Sequence, residues 1–347
     1  MPRGTPHKES SEGTDPQSAI VSFLRKAGLV EGENAPRLTA LSGGVASDIW
    51  KIETGDRVFV VKRALPRLRV AQEWTAPVSR NASEVAWMQL AGSVVPDAVP
   101  RVLADDPVVG VFAMEFLDPA DSPVWKGELA KGKVDVAFAA SVGRTIAAIH
   151  AATAHSESVA ERFANDAVFD SIRLEPYLQA TARAHPALEA ALMGLARDTL
   201  ATKLALVHGD VSPKNILVGP RGPIFLDAEC AWFGDPAFDL AFCLKHLLLK
   251  CIWVPACADR FLASYDALKD AYLERVAWER TDVMEQRTAR LLPALLLGRI
   301  DGKSPVEYIN DEQSKSRVRQ VSITLITSRA ATLAEIRDAW AQQLRGG

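Results

Sequence analysis

The stretch Val207-His208-Gly209-Asp210-Val211-Ser212-Pro213-Lys214-Asn215-Ile216-Leu217-Val218, followed by Ile224-Phe225-Leu226-Asp227-Ala228-Glu229, is the most polar motif in the chain, and it sits between apolar runs. Short apolar runs of this kind, bounded by turn residues, predict strands at Ala205–His208 and Pro223–Leu226. Two carboxylates and one amide are thereby expected close to strand ends. An Asp and an Asn five positions apart also cap helices and make turns. The His-Gly prefix, the flanking strands and the Asp-Ala-Glu sequel favour chemistry over a turn.

Working upstream, the Pro-, Gly-, Ser-, Glu- and Lys-rich start cannot bury enough apolar surface to order itself, and residues 1–17 are set apart as a disordered tail. Asp15 and Pro16 read as a helix start, with Ala19, Ile20, Phe23, Leu24 and Leu29 as its apolar stripe. Then the period changes. Arg37–Leu41, Asp48–Glu53 and Arg57–Arg63, separated by Ser42-Gly43-Gly44 and Gly55-Asp56, predict three antiparallel strands. A helix from about Ser83 to Ala91 and strands near Arg101–Leu103 and Val108–Phe116 complete a strand-dominated first lobe, residues 18–117. Residues 118–347 form a helical second lobe, with helical spacing over Val134–Ala154, over Leu174–Leu204 and again from Asp235, broken near Pro255, Pro293 and Asp301-Gly302.

Phosphoryl transfer needs a carboxylate near the attacking hydroxyl and oxygen ligands that hold magnesium against the phosphates. Asp210, Asn215 and Asp227 fit those roles by residue type, and the five-position step from Asp210 to Asn215 is that of a kinase catalytic loop. His-Gly-Asp-x-x-x-x-Asn with a downstream Asp-x-Glu resembles the aminoglycoside phosphotransferase and choline kinase superfamily, over residues from about Leu41 to Leu249. The resemblance implies an α+β fold, bilobal and protein-kinase-like, with a small antiparallel-sheet first lobe and a mainly helical second lobe. It implies ATP and Mg2+ bound between the lobes. Asp210 would orient the acceptor hydroxyl and take its proton, Asn215 and Asp227 would bind magnesium, Glu229 would sit beside that site, and His208 would help to build the loop.

The turn Ser42-Gly43-Gly44-Val45-Ala46-Ser47 is either a plain hairpin or a phosphate clamp whose glycines let backbone N–H groups approach oxygen, with Ser42, Gly43, Gly44 and Ser47 as its contacts. It precedes Phe59-Val60-Val61-Lys62, where alternation puts Val60 and Lys62 on one face, toward adenine and phosphate respectively. Glu84 is the first candidate partner for Lys62, and Glu73, close to Pro77, the second. Val111–Leu117 resembles the strand that leads to a kinase hinge, with backbone around Glu115 and Leu117 for adenine. Asp239 either braces the catalytic loop or is a simple carboxylate in a helix first turn.

Departures from protein kinases narrow the acceptor. Gly209 stands where those enzymes carry an arginine, and no Ala-Pro-Glu follows Asp227, so a small-molecule hydroxyl is expected: aminoglycoside-, choline- or sugar-like. A net charge of -3 with no basic stripe gives no reason to expect nucleic acid. The four cysteines form no paired ligand set, and no apolar run approaches the ~20 residues of a membrane span, which together predict a cytoplasmic protein with reduced thiols and no membrane partner. Asp259, Asp270, Glu274, Asp301 and Glu307 are candidates for a polyamine-like sugar, and Trp232, Trp253 and Trp278 for a quaternary ammonium. The chain lacks the His-Thr-Gly-Ser continuation associated with methylthioribose kinases. Oligomeric state and a choice between ATP and GTP are not readable. The rival reading is a non-catalytic nucleotide-binding module, a pseudokinase.

Overall fold

Alternation along Arg57–Ala64 organises the first of two compact units. The computed structural model describes residues 16–31, 35–41, 47–65 and 80–346. In the first unit β1 (Arg37–Ala40), β2 (Ser47–Thr54), β3 (Arg57–Ala64), β4 (Val102–Asp106) and β5 (Val111–Glu115) form one sheet in the order β1-β2-β3-β5-β4. The β1–β2, β2–β3 and β3–β5 pairs are antiparallel, with Lys62 opposite Ile49 and Phe112. One face carries Ile52, Phe59, Val61, Val111 and Ala113. The helix Pro16–Lys26 covers it with Ile20, Phe23 and Leu24, so an apolar helix stripe meets an apolar sheet face. Val60 and Lys62 point the other way and are buried too. The helix begins at Pro16, inside the last positions of the expected tail.

The described residues of 1–78 and 103–116 make up this sheet unit, and residues 79–102 and 117–347 make up the helical one. The helix Arg80–Val94, expected in the first lobe, packs with the helical unit: Arg80 Nε donates to Glu229 Oε2 at 2.9 Å, and Trp87 lies edge-on to His208. In that unit the helix Val136–Thr153 crosses Ala258–Leu273 closely. A Cβ on Gly143 would sit 2.3 Å from the carbonyl oxygen of Leu268, so only glycine fits the crossing. The expectation that no apolar run nears a membrane span needs correction here, because Val136–Thr153 is 18 residues long with mean hydropathy 1.2. Half of that helix is buried inside the protein, and Phe138, Val142, Ile146 and Ile149 pack in the core.

The helix Ala237–Trp253 is buried from Ala237 through Cys251 and forms the centre of the unit. Thr281–Asp301 runs against it and passes through Pro293 without ending, against the sequence expectation. Burial of Leu291 through Gly298 on all sides outweighs the single lost backbone hydrogen bond. A second proline, Pro176, sits in a wide π-type stretch, Asp170–Gln179, a geometry that absorbs an interrupted hydrogen-bond ladder. Four short strands remain: β6 (Ala205–Val207) pairs antiparallel with β9 (Trp232–Gly234), and β7 (Ile216–Gly219) with β8 (Gly222–Phe225). Sequence reading anticipated β6 and β8 only.

Candidate active site

The loop between β6 and β7 is held from below by one carboxylate. Asp239, in the first turn of Ala237–Trp253 and fully buried, accepts from the His208 amide at 2.7 Å through Oδ2 and from the Gly209 amide at 2.8 Å through Oδ1. Gly209 must be glycine. Its φ is +79°, and an added Cβ would lie 2.8 Å from Cys230 Sγ and 3.0 Å from the Cys230 carbonyl. The Asp210 amide donates to His208 Nδ1 at 3.1 Å, so Nδ1 is an acceptor and the Nε2 proton goes to the Leu226 carbonyl at 3.1 Å. Burial pushes the His208 pKa down, in keeping with a neutral ring.

Asp210 is 4 % exposed, yet two cations approach it: Arg173 Nη2 at 2.9 Å and Lys214 Nζ at 3.2 Å, both nearest to Oδ2. Burial alone would raise this carboxyl. Lys214 and Arg173 reverse the effect and hold it well below the ordinary carboxylate range, so the group is charged. No hydrogen bond from the described residues is donated to Oδ1, and Asp210 lines a cavity of about 210 Å3 within the helical unit. Arg173 is itself fixed by the loop, its Nε donating to the Gly209 carbonyl at 2.5 Å.

Asn215 ends the loop. Its Nδ2 donates to the Asp210 carbonyl at 3.2 Å, which turns Oδ1 into the remaining acceptor. The Asn215 carbonyl accepts from the Leu226 amide at 2.9 Å, so the residue before Asp227 is tied to Asn215. Asp227 follows β8 at φ +68°, a conformation uncommon outside glycine that Asp tolerates better than most. An amide oxygen and a carboxylate are hard oxygen donors of the type Mg2+ takes, two protein ligands being usual where phosphates supply the rest. The pair fits that ion. Among the described residues no group of three or more His, Cys, Asp or Glu side chains is placed to hold a metal by itself.

Residues 37–283 match the phosphotransferase enzyme family, designated APH. The chain belongs to this family. The phosphotransferase fold is protein-kinase-like: an ethanolamine kinase from Plasmodium vivax superposes with a TM-score of 0.52 at 10% identity, over 93% of this chain and 99% of that one. A choline kinase from Cryptosporidium parvum gives 0.51 at 11% identity, over 90% and 96%. In sequence the chain is similar to a methylthioribose kinase from Pectobacterium carotovorum, 27% identical over 68% of this chain and 66% of that protein. It spans 61% to 66% of the length of the first three curated kinases it matches.

The remaining expected phosphotransferase residues divide between the units. Asp210, Asn215, Asp227, Glu229 and Asp239 lie in the helical unit, as does Glu84, buried on Arg80–Val94; Leu117 opens the unit's second segment. Lys62, Ser47 and Glu115 lie in the sheet unit: Lys62 is 3 % exposed, Ser47 opens β2 buried, and Glu115 closes β5 exposed. Ser42, Gly43, Gly44 and Glu73 fall outside the described residues. Three expected substrate residues are occupied otherwise. Trp232 is fully buried, stacked on Phe169 at 4.1 Å; Trp278 packs against His150 and Tyr272; Asp301 is held by Arg319 at 2.8 Å and His185 at 2.8 Å. Sequence reading missed Arg173, which lies 37 positions before Asp210 with no motif around it. It also passed over Lys214, which stood inside the quoted motif.

Proposed function

We propose that this chain is an ATP-dependent phosphotransferase that moves a γ-phosphoryl group to a hydroxyl of a small molecule. The observation that carries the reading is Asp210: a buried, charged carboxylate on a doubly anchored loop, bordering a cavity of small-molecule size. The acceptor hydroxyl hydrogen-bonds to Asp210 Oδ1 and is thereby aimed in line with the phosphorus. As the new O–P bond forms and the bond to the bridging oxygen of ADP breaks, the hydroxyl proton passes to Asp210. A carboxylate held far below the ordinary range is a weak base, so its larger contribution is orientation, with proton transfer late in a loose transition state.

Asn215 and Asp227 would hold Mg2+, which supplies positive charge to the phosphate oxygens when bound. Asp239 keeps the loop in register, and Lys214 and Arg173 hold Asp210 ionised against its burial. Nucleotide binding is assigned to the sheet unit, with Lys62 and Ser47 toward the phosphates and backbone near Glu115 toward adenine. Family membership and relatives named as methylthioribose kinases support a small alcohol as acceptor. ATP consumption with Mg2+ across a panel of methylthioribose, choline, aminoglycosides and simple sugars tests the activity. No consumption with any acceptor, together with no thermal stabilisation by Mg·ATP, would remove the reading.

A further inference from the structure

The cavity that Asp210 borders carries an unusual charge balance. Lys126, Lys214, Lys250 and Arg299 line it against two carboxylates, Asp210 and Glu307. Both carboxylates are already matched: Asp210 takes Arg173 and Lys214, and Glu307 takes Lys126. Lys250 and Arg299 are left over. Among the described residues Arg299 Nη1 donates only to neutral oxygens, the Ser304 carbonyl at 2.5 Å, Ser304 Oγ at 2.9 Å and Tyr177 Oη at 3.3 Å, while its Nε is buried without a partner. Just behind the wall Lys245, fully buried, has no hydrogen-bond acceptor for Nζ among the described residues and rests on the rings of Phe242 and Tyr177, both lining residues. Burying cations without counter-ions is unfavourable unless something anionic completes them; at Lys245 burial drives the pKa well down and so meets that cost, which leaves Lys250 and Arg299 as the unmatched cations of the wall.

The aromatic residues point the same way. Trp253 and Tyr308 stack at 4.5 Å, the kind of pair that could receive a ligand ammonium, but the ammonium on them is the protein's own Lys250, 4.3 Å from each ring. Burial, then Lys126, brings the Lys250 pKa down to about 7, and an incoming anion would restore its charge.

We infer, resting on the phosphotransferase reading, that the acceptor is an anionic alcohol: its hydroxyl lies at Asp210, and its carboxylate or phosphate is received by Lys250 and Arg299. A small hydroxy acid or sugar phosphate suits a cavity of about 210 Å3. Polycationic aminoglycosides and choline would add positive charge to a wall already in surplus.

The test uses the full chain with Mg·ATP and matched probes: glycerate and glycerol 3-phosphate as anions, glycerol and methylthioribose as neutral alcohols, choline as the cation. Turnover, or thermal stabilisation, is expected with an anionic probe and not with its neutral or cationic counterparts. Lys250→Met and Arg299→Gln should each raise the anionic probe's KM or apparent Kd by roughly 10- to 100-fold, the loss of a charge-assisted hydrogen bond, and leave the KM for ATP in place. Lys250→Met removes an unmatched buried charge, so folding is preserved. Preference for neutral or cationic alcohols, an anion response indifferent to both variants, or a rise in KM for ATP instead would overturn the inference. Turnover of a neutral alcohol would overturn it while leaving the phosphotransferase reading intact.

Discussion

The Asp210 loop and the cavity wall are both buried and both charged, but they solve the cost of burial in opposite ways. Around the loop most polar groups answer one another: two amides on Asp239, an amide and a carbonyl on His208, two cations on Asp210, although Ser212 Oγ is buried without a partner among the described residues. Among the described residues the wall keeps Lys250 and Arg299 without carboxylate partners and Lys245 without any acceptor. A region whose interactions are satisfied from within is rigid before anything binds, which suits groups that must orient a reaction. A region with surplus charge is incomplete until a ligand arrives, which suits recognition.

Breaking the loop should have the larger effect. Gly209→Ala forces a side chain into a positive-φ position against Cys230, and left-handed strain plus overpacking predict a loss of roughly 2 to 4 kcal/mol in denaturant unfolding. Asp239→Asn leaves one backbone N–H facing an amide N–H, for about 1 to 3 kcal/mol and a fall in kcat without a matching rise in the KM for ATP. A stability loss with unchanged kcat would deny Asp239 any role in placing Asp210.

Breaking the wall should do the reverse. Lys250, faced by Lys126, Arg299, Glu307, Trp253 and Tyr308, has its pKa lowered by burial to about 7, against 10.5 when unfolded. Between these values the unfolded chain binds the extra proton, so stability rises as pH rises from about 7 toward 10. Lys250→Met should flatten that rise and raise the melting temperature at pH 7, measured as a difference from wild type across pH. The smallest effect is expected at the rim. Glu307→Gln releases Lys126 from a partly exposed pair, changing stability by less than about 1 kcal/mol while tightening an anionic probe by a few-fold.

The same contrast explains what could be read from sequence. The loop is contiguous, so His208, Asp210, Asn215 and Asp227 were visible as a spaced pattern, and strand alternation around Lys62 was enough to orient β3. The wall draws on Lys126, Lys250 and Arg299, positions 49 to 173 apart on the three helices Trp125–Ala130, Ala237–Trp253 and Thr281–Asp301, which share no local pattern. Arg173 was invisible for the same reason. Trp253 was noticed as a possible ammonium site, and the geometry does make it one, but for Lys250 of the same helix. Pro293 misled because its local penalty is real and is outweighed only by burial that no local window contains.

Everything turns on Asp210, so the most direct measurement compares Asp210→Asn with wild type in two assays on the same preparation, thermal stabilisation by Mg·ATP and steady-state phosphoryl transfer. The predicted result is nucleotide binding retained and turnover reduced by roughly 10²- to 10⁴-fold, the scale of a positioned acid-base group. Turnover within a few-fold of wild type would contradict the account.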